Sequence, residues 1–167
     1  AALAVRGASG SSDSWLSSES VPGKRRRLDD YAPGGVAGGR PDRATLIYCN
    51  RIRELWKDVP LIIGGIEASL RRIAHYDYWS NDVRRSLLID SRADLLVYGM
   101  AEFQMERIAS LLASGADIRE IRGVPGTCWK THDRTEAGEA IDLPSFETVR
   151  VDPRAFAEAF RLFYREQ

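Results

Sequence analysis

The sequence predicts an α/β fold, a partial three-layer sheet that is open and parallel, and three observations carry that expectation. Two short apolar runs, Pro60-Leu61-Ile62-Ile63-Gly64-Gly65 and Asp94-Leu95-Leu96-Val97-Tyr98-Gly99, end in glycine and show no alternation, as a parallel strand covered on both faces requires. Residues 67–92 between them are long enough for the helical crossover that parallel pairing demands. Amphipathic helical repeats stand before the first run and after the second. The order helix, strand, crossover, strand, helix is that of a layered sheet, and so few strands in 167 residues read as half of such a domain.

Residues 1–42 form a glycine- and proline-rich segment, with Pro22-Gly23, Pro33-Gly34-Gly35 and Pro41 favouring loop. The basic run Lys24-Arg25-Arg26-Arg27 is answered by Asp29 and Asp30 and reads as a solvated face. Over 43–57, Ala44, Ile47, Tyr48, Ile52, Leu55 and Trp56 recur at spacings of three and four, predicting a helix that buries this stripe. Asp42 is its expected N-cap, and Pro60 bars its continuation. After Gly99, Met105, Ile108, Ala109 and Leu112 define a second helix over 102–113, which Gly115 stops. Residues 118–124 predict a short strand or edge hairpin, continued by Thr127-Cys128-Trp129, and 130–152 are polar and turn-rich. Pro153 opens a last helix whose face, Ala155, Phe156, Ala159, Phe160 and Phe163, needs a partner. The expected organisation is therefore an irregular segment (1–42), a partial α/β domain (43–129) and a linker with a helix (130–167).

Composition excludes several function classes. The chain is 44% hydrophobic and 29% charged, and its 24 basic residues balance 24 acidic ones, so bulk electrostatics point to no nucleic acid and no anionic membrane. No apolar run approaches the roughly 20 residues that span a bilayer. The N-terminus has neither an initiator Met nor a signal-peptide pattern and reads as a cut edge. Cys49 and Cys128 lack the local partners of redox or zinc motifs, Cys49 falls on an apolar face as a buried thiol, and a reducing cytoplasm is expected.

In an open parallel sheet, ligands bind beyond the carboxyl ends of the strands. The candidate crevice or interdomain contacts follow from that rule. Gly64, Gly65 and Gly99 let backbone approach a neighbour, and Glu67 and Glu102 stand just after them, either as hydrogen-bond acceptors at the rim or as ordinary first-turn carboxylates. The densest segment adds Arg71, Arg72, His75, Tyr76, Asp77, Tyr78 and Trp79. Read as one helix it puts Arg71, His75 and Trp79 on one line, and a helix that ends near His75 with an aromatic loop beyond fits at least as well. Interleaved basic and aromatic side chains suit stacking on a planar or anionic ligand, or packing against a neighbouring domain. No catalytic constellation and no metal site is assigned from spacing.

The blocks Asp29-Asp30-Tyr31-Ala32-Pro33-Gly34-Gly35, Gly64-Gly65-Ile66-Glu67-Ala68-Ser69-Leu70-Arg71-Arg72, His75-Tyr76-Asp77-Tyr78-Trp79-Ser80 and Asp94-Leu95-Leu96-Val97-Tyr98-Gly99-Met100 carry a resemblance. With them the chain resembles the YgiQ-like radical SAM family over residues 28–166. The resemblance implies an accessory α/β region, similar to the C-terminal half of a cobalamin-binding-like (Rossmann/flavodoxin-like) domain, that precedes a radical SAM barrel in the same parent chain. In that barrel a CxxxCxxC motif holds a 4Fe-4S cluster and S-adenosylmethionine is cleaved reductively. With two cysteines this chain cannot supply three thiolates, so no cofactor is expected to be bound by it. The expected role is an accessory one in a radical enzyme of unassigned substrate, and the alternative is a small-ligand-binding or purely structural module. One departure stands out: Ala101 replaces the glycine of the family's Gly-Met-Gly-Glu, and would be strained if that turn needed left-handed backbone.

Overall fold

The computed structural model describes residues 3–6, 19–20, 24–25, 28, 32–37, 41 and 43–166. Its centre is a four-stranded sheet in the order β1 (Leu3–Arg6), β4 (Leu61–Gly64), β7 (Leu95–Val97) and β8 (Thr127–Trp129). The first three are parallel, with Leu3 opposite Leu61 and Ile62 opposite Leu95. The last runs antiparallel, with Leu96 opposite Cys128, so the sheet is mixed where an all-parallel one was expected. The path after helix α4 (Glu102–Ala113) explains the reversal: residues 114–126, with a 3-10 turn at Ile118–Glu120, carry the chain back to the carboxyl end of β7, where Gly126 O accepts Tyr98 N at 2.9 Å, so β8 enters from that end. Ile118–Val124 is thus no strand, although Ile118, Ile121 and Val124 are buried. The irregular segment expected over 1–42 contributes β1 to the sheet, and the two-residue strands β2 (Glu19–Ser20) and β3 (Lys24–Arg25) pair with each other. Asp42 lies outside the described residues.

Two cores lie on opposite faces of the sheet. Leu61, Ile63 and Leu96 face Cys49, Ala68, Leu87 and Leu88, whereas Ile62, Leu95 and Val97 face Ile108, Ile118 and Ile121. Adjacent strand residues point to opposite faces, so β4 and β7 are buried on both sides and the arrangement is a three-layer, generic Rossmann-like one. Helix α1 (Ala44–Leu55) supplies one layer, yet it buries Ala44, Thr45 and Cys49. The stripe expected inward is largely outside: Ile47, Tyr48, Leu55 and Trp56 are exposed. On α4 the buried side is centred on Ile108, with Met105 and Leu112 packed beside it, and Ala109 is exposed.

The crossover from β4 to β7 is not one helix. A five-residue helix α2 (Ile66–Leu70) ends before His75, and β5 (His75–Asp77) and β6 (Asp82–Arg84) form an antiparallel hairpin that precedes α3 (Leu87–Asp90). Tyr76 opposite Val83 suits a pleated pair, and Asn81 turns the chain at φ 48. Short α5 (Phe146–Val151) and α6 (Pro153–Arg165) complete the chain, each opened by a side-chain cap from Ser145 and Asp152. α5 lies in the stretch expected to be only turn. No helix of the described residues is long and apolar enough to cross a membrane.

Candidate functional site

α1 runs antiparallel to β4, and its two ends fix the orientation of the site. Near its C-terminus, Arg53 Nη2 donates to Asp94 Oδ2 at 2.5 Å, and the same oxygen accepts Leu61 N at 2.8 Å. That clamp marks the amino ends of β4 and β7. The start of α1, with Arg43 and Thr45, therefore sits at the carboxyl ends, where the sequence placed the candidate crevice.

Three glycines shape that end. A Cβ on Gly64 would lie 2.8 Å from Val97 Cγ2 and 3.3 Å from its carbonyl oxygen, so only glycine lets β4 approach β7 here. Gly64→Ala is expected to destabilise by about 1–3 kcal/mol, the cost of overpacking a filled core. Urea unfolding measures it, and an unchanged midpoint would contradict the close approach. Gly65 (φ 92) begins α2, and Gly99 (φ 72) turns the chain out of β7. Ser69 Oγ accepts Gly99 N at 3.2 Å and joins the two loops. Ala101 adopts φ −89, which any residue tolerates, so the departure from glycine brings no strain.

The structure draws several candidate residues into a buried polar cluster. Glu67 is not a rim group: it is buried, accepts Thr45 Oγ1 at 2.7 Å and pairs with Arg71 at 3.3 Å. Asp77 is 2% exposed and accepts Arg43 Nη2 and Ser80 Oγ, each at 2.5 Å. Burial works to raise the Asp77 carboxyl, but the bonds from Ser80 and Arg43 and the charges of Arg43 and Arg71 prevail and hold it at about 2. Arg43 reaches it from left-handed backbone, φ 54, at the N-cap of α1. His75, beside Arg43, Glu67, Arg71 and Arg84, donates from Nδ1 to Ile73 O, 3.2 Å away, and burial lowers its pKa. These partners, 22 and 34 residues away in sequence, left no local signal.

Other candidates separate from this cluster. Arg72 lies between the rings of Tyr98 (4.6 Å) and Phe163 (4.4 Å) and donates to Ser69 O, tying α6 to the sheet. Tyr76 is exposed, with its hydroxyl donating to Asn81 Oδ1 at 2.6 Å. Tyr78 meets Trp79 edge to face at 5.6 Å. Glu102 is exposed in the first turn of α4. Sequence reasoning missed the exposed apolar residues that follow the strand ends: Ile66 and Leu70 on α2 are exposed, as are Met100 (82%) and Phe103 (68%) after β7. Their available signal was apolar residues set directly after strand-ending glycines.

The residues present do not fit an iron–sulfur cluster. Of the two cysteines, Cys49 is buried in α1 with its thiol pushed up to about 11 by burial, and burial likewise raises Cys128 on β8. The CxxxCxxC type of cluster that the resemblance implies takes three thiolates, and this chain has two cysteines. Among the described residues no three His, Cys, Asp or Glu side chains are grouped to hold a metal ion.

No solved structure matches the chain. A UPF0313 protein of Clostridium perfringens (strain SM101 / Type A) is 53% identical over 159 residues, covering 95% of this chain and 24% of that relative. A UPF0313 protein of Clostridium botulinum (strain 657 / Type Ba4) is 50% identical over 159 residues, covering 95% of this chain and 25% of its own. The chain thus spans about a quarter of the length of the curated relatives it matches. The family model described as Radical SAM N-terminal matches residues 2–167, and the chain belongs to that family.

Proposed function

We propose that this region caps the catalytic barrel of a radical SAM enzyme, closing over its mouth with the carboxyl edge of the sheet. One observation carries the reading: four large apolar side chains, Ile66, Leu70, Met100 and Phe103, stand exposed at that edge, on two loops tied together by Ser69 and Gly99. Burying such a side chain is worth about 1.5–3 kcal/mol, and an apolar patch rimmed by polar residues marks a contact surface. The β5–β6 hairpin, braced by Arg43–Asp77 and by Arg150–Asp82 at 2.9 Å, presents Tyr76 and Tyr78 beside it. Ser69 already bridges the two glycine loops, which favours a cap over an independent small-ligand crevice.

In this reading the cluster and S-adenosylmethionine belong to the barrel, and this region excludes water and shapes the space above them. The substrate class is left to the barrel. The unpaired thiols of Cys49 and Cys128 suit a reducing cytoplasm. The test uses the full-length protein carrying Met100→Asp and Phe103→Asp together. Reductive cleavage of S-adenosylmethionine is expected to fall at least about tenfold, the ratio that ~1.4 kcal/mol represents, with iron content unchanged. Wild-type turnover in that variant would refute the cap.

A further inference from the structure

A groove of about 260 Å³ lies between α3 and the α5–α6 pair, walled by Ile73, Ile89, Leu143, Phe146, Phe156 and Phe160. Its polar side chains are committed elsewhere. Arg85 pairs with Asp90 at 2.8 Å, and Ser86 Oγ donates to Arg72 O at 2.7 Å. At ~30 Å³ for each water the groove would hold about nine, with few hydrogen-bonding partners, so an apolar guest is favoured over solvent. Phe160, 60% exposed on α6, stacks on Tyr164 at 6.2 Å and extends this apolar wall towards the end of the helix.

Which guest fills it follows from the chain itself. The region corresponds to 24% of a relative's length, its family is an N-terminal one, and α6 runs to Arg165. In the full-length protein the polypeptide after α6 therefore starts within about two helical turns of Phe160 on the groove's wall. A short tether gives such a segment an effective concentration on the order of millimolar, far above that of a second copy at micromolar concentration. We infer that the groove seats apolar side chains of the polypeptide that immediately follows α6. Seated there, the segment fixes the direction in which the chain enters its next domain. None of the groove's lining residues belongs to the carboxyl-edge rim, so either contact can fail while the other stands.

The experiment places the photo-crosslinker p-benzoylphenylalanine at the position of Phe160, and separately of Ile89 on the opposite wall, in the full-length protein. Arg51, exposed on α1, serves as the control position. Both groove positions are expected to give intrachain products with peptides directly after Gln167, about tenfold above the control, as tethered proximity implies. Products with a second copy, with another protein or with a distant part of the chain would overturn the inference. So would yields no higher than at Arg51.

Discussion

Asp77→Ala is expected to cost about 3–5 kcal/mol of stability, the penalty of removing one partner from a buried ion pair. The loss falls on Arg43 and Ser80, whose donors are aimed at Asp77 Oδ2. Arg43 would keep a part-buried charge and a left-handed backbone, φ 54, which the ion pair now offsets. A domain of this size has about 5–15 kcal/mol in total, so the hairpin and the start of α1 would loosen together. Urea unfolding checks this. With m of about 1–3 kcal/mol/M, the midpoint falls by roughly 1–5 M, and a shift within error would contradict the cluster's role.

The pH dependence has a defined sign. Asp77 is held at about 2 in the fold against 3.8 ordinarily, so its carboxylate contributes stability above the ordinary value. That contribution, about 2 kcal/mol by linkage, disappears as pH falls from about 4 towards 2. The stability gap between wild type and Asp77→Asn is therefore expected to narrow over that interval. A gap that stays constant from neutral pH down to 2 would mean that Asp77 is not the ionised partner of Arg43.

Asp94→Ala is expected to be as damaging, at about 3–5 kcal/mol. Both side chains of the Arg53–Asp94 pair are 10% exposed. Asp94 Oδ2 also accepts Leu61 N, so one carboxylate holds α1, the first residue of β4 and the entry to β7. Arg53 meanwhile donates to Val59 O at 2.6 Å and to Arg92 O at 3.1 Å, bonds that orient it but cannot neutralise its charge. Pairing the change with Arg53→Met removes the stranded charge, and the double variant is expected to regain part of the loss. Additive destabilisation in that double-mutant cycle would show that the two side chains act separately.

The legible parts of the fold were those in which burial alone writes the pattern. β4 and β7 are covered on both faces, so they are unbroken apolar runs, and α4 and α6 lie where the 3.6-residue period puts them. α1 shows the limit of that signal. Its period gives a helix, but apolar residues occur on two sides. The side that packs is chosen by Thr45 bonding to Glu67 and by Cys49 against β4, contacts that hydropathy does not encode. The hairpin escaped for a related reason: its inward group is Asp77, a carboxylate that reads as surface until Arg43 arrives from another element. The place of Gly64, Gly65 and Gly99 at the strand ends was readable from the apolar runs they close, whereas the contacts of Arg43 and Thr45 reach across the fold.

Hydroxyl-radical footprinting of the full-length protein tests the cap most directly, because Met100 and Phe103 are both exposed in this region taken alone. With Tyr48 and Trp56 on and beside α1 as exposed references, oxidation of Met100 and Phe103 is expected to be suppressed at least about tenfold after correction for intrinsic reactivity, as burial under a partner surface requires. Oxidation of all four at rates matching their exposure in the isolated region would contradict a barrel seated on the carboxyl edge.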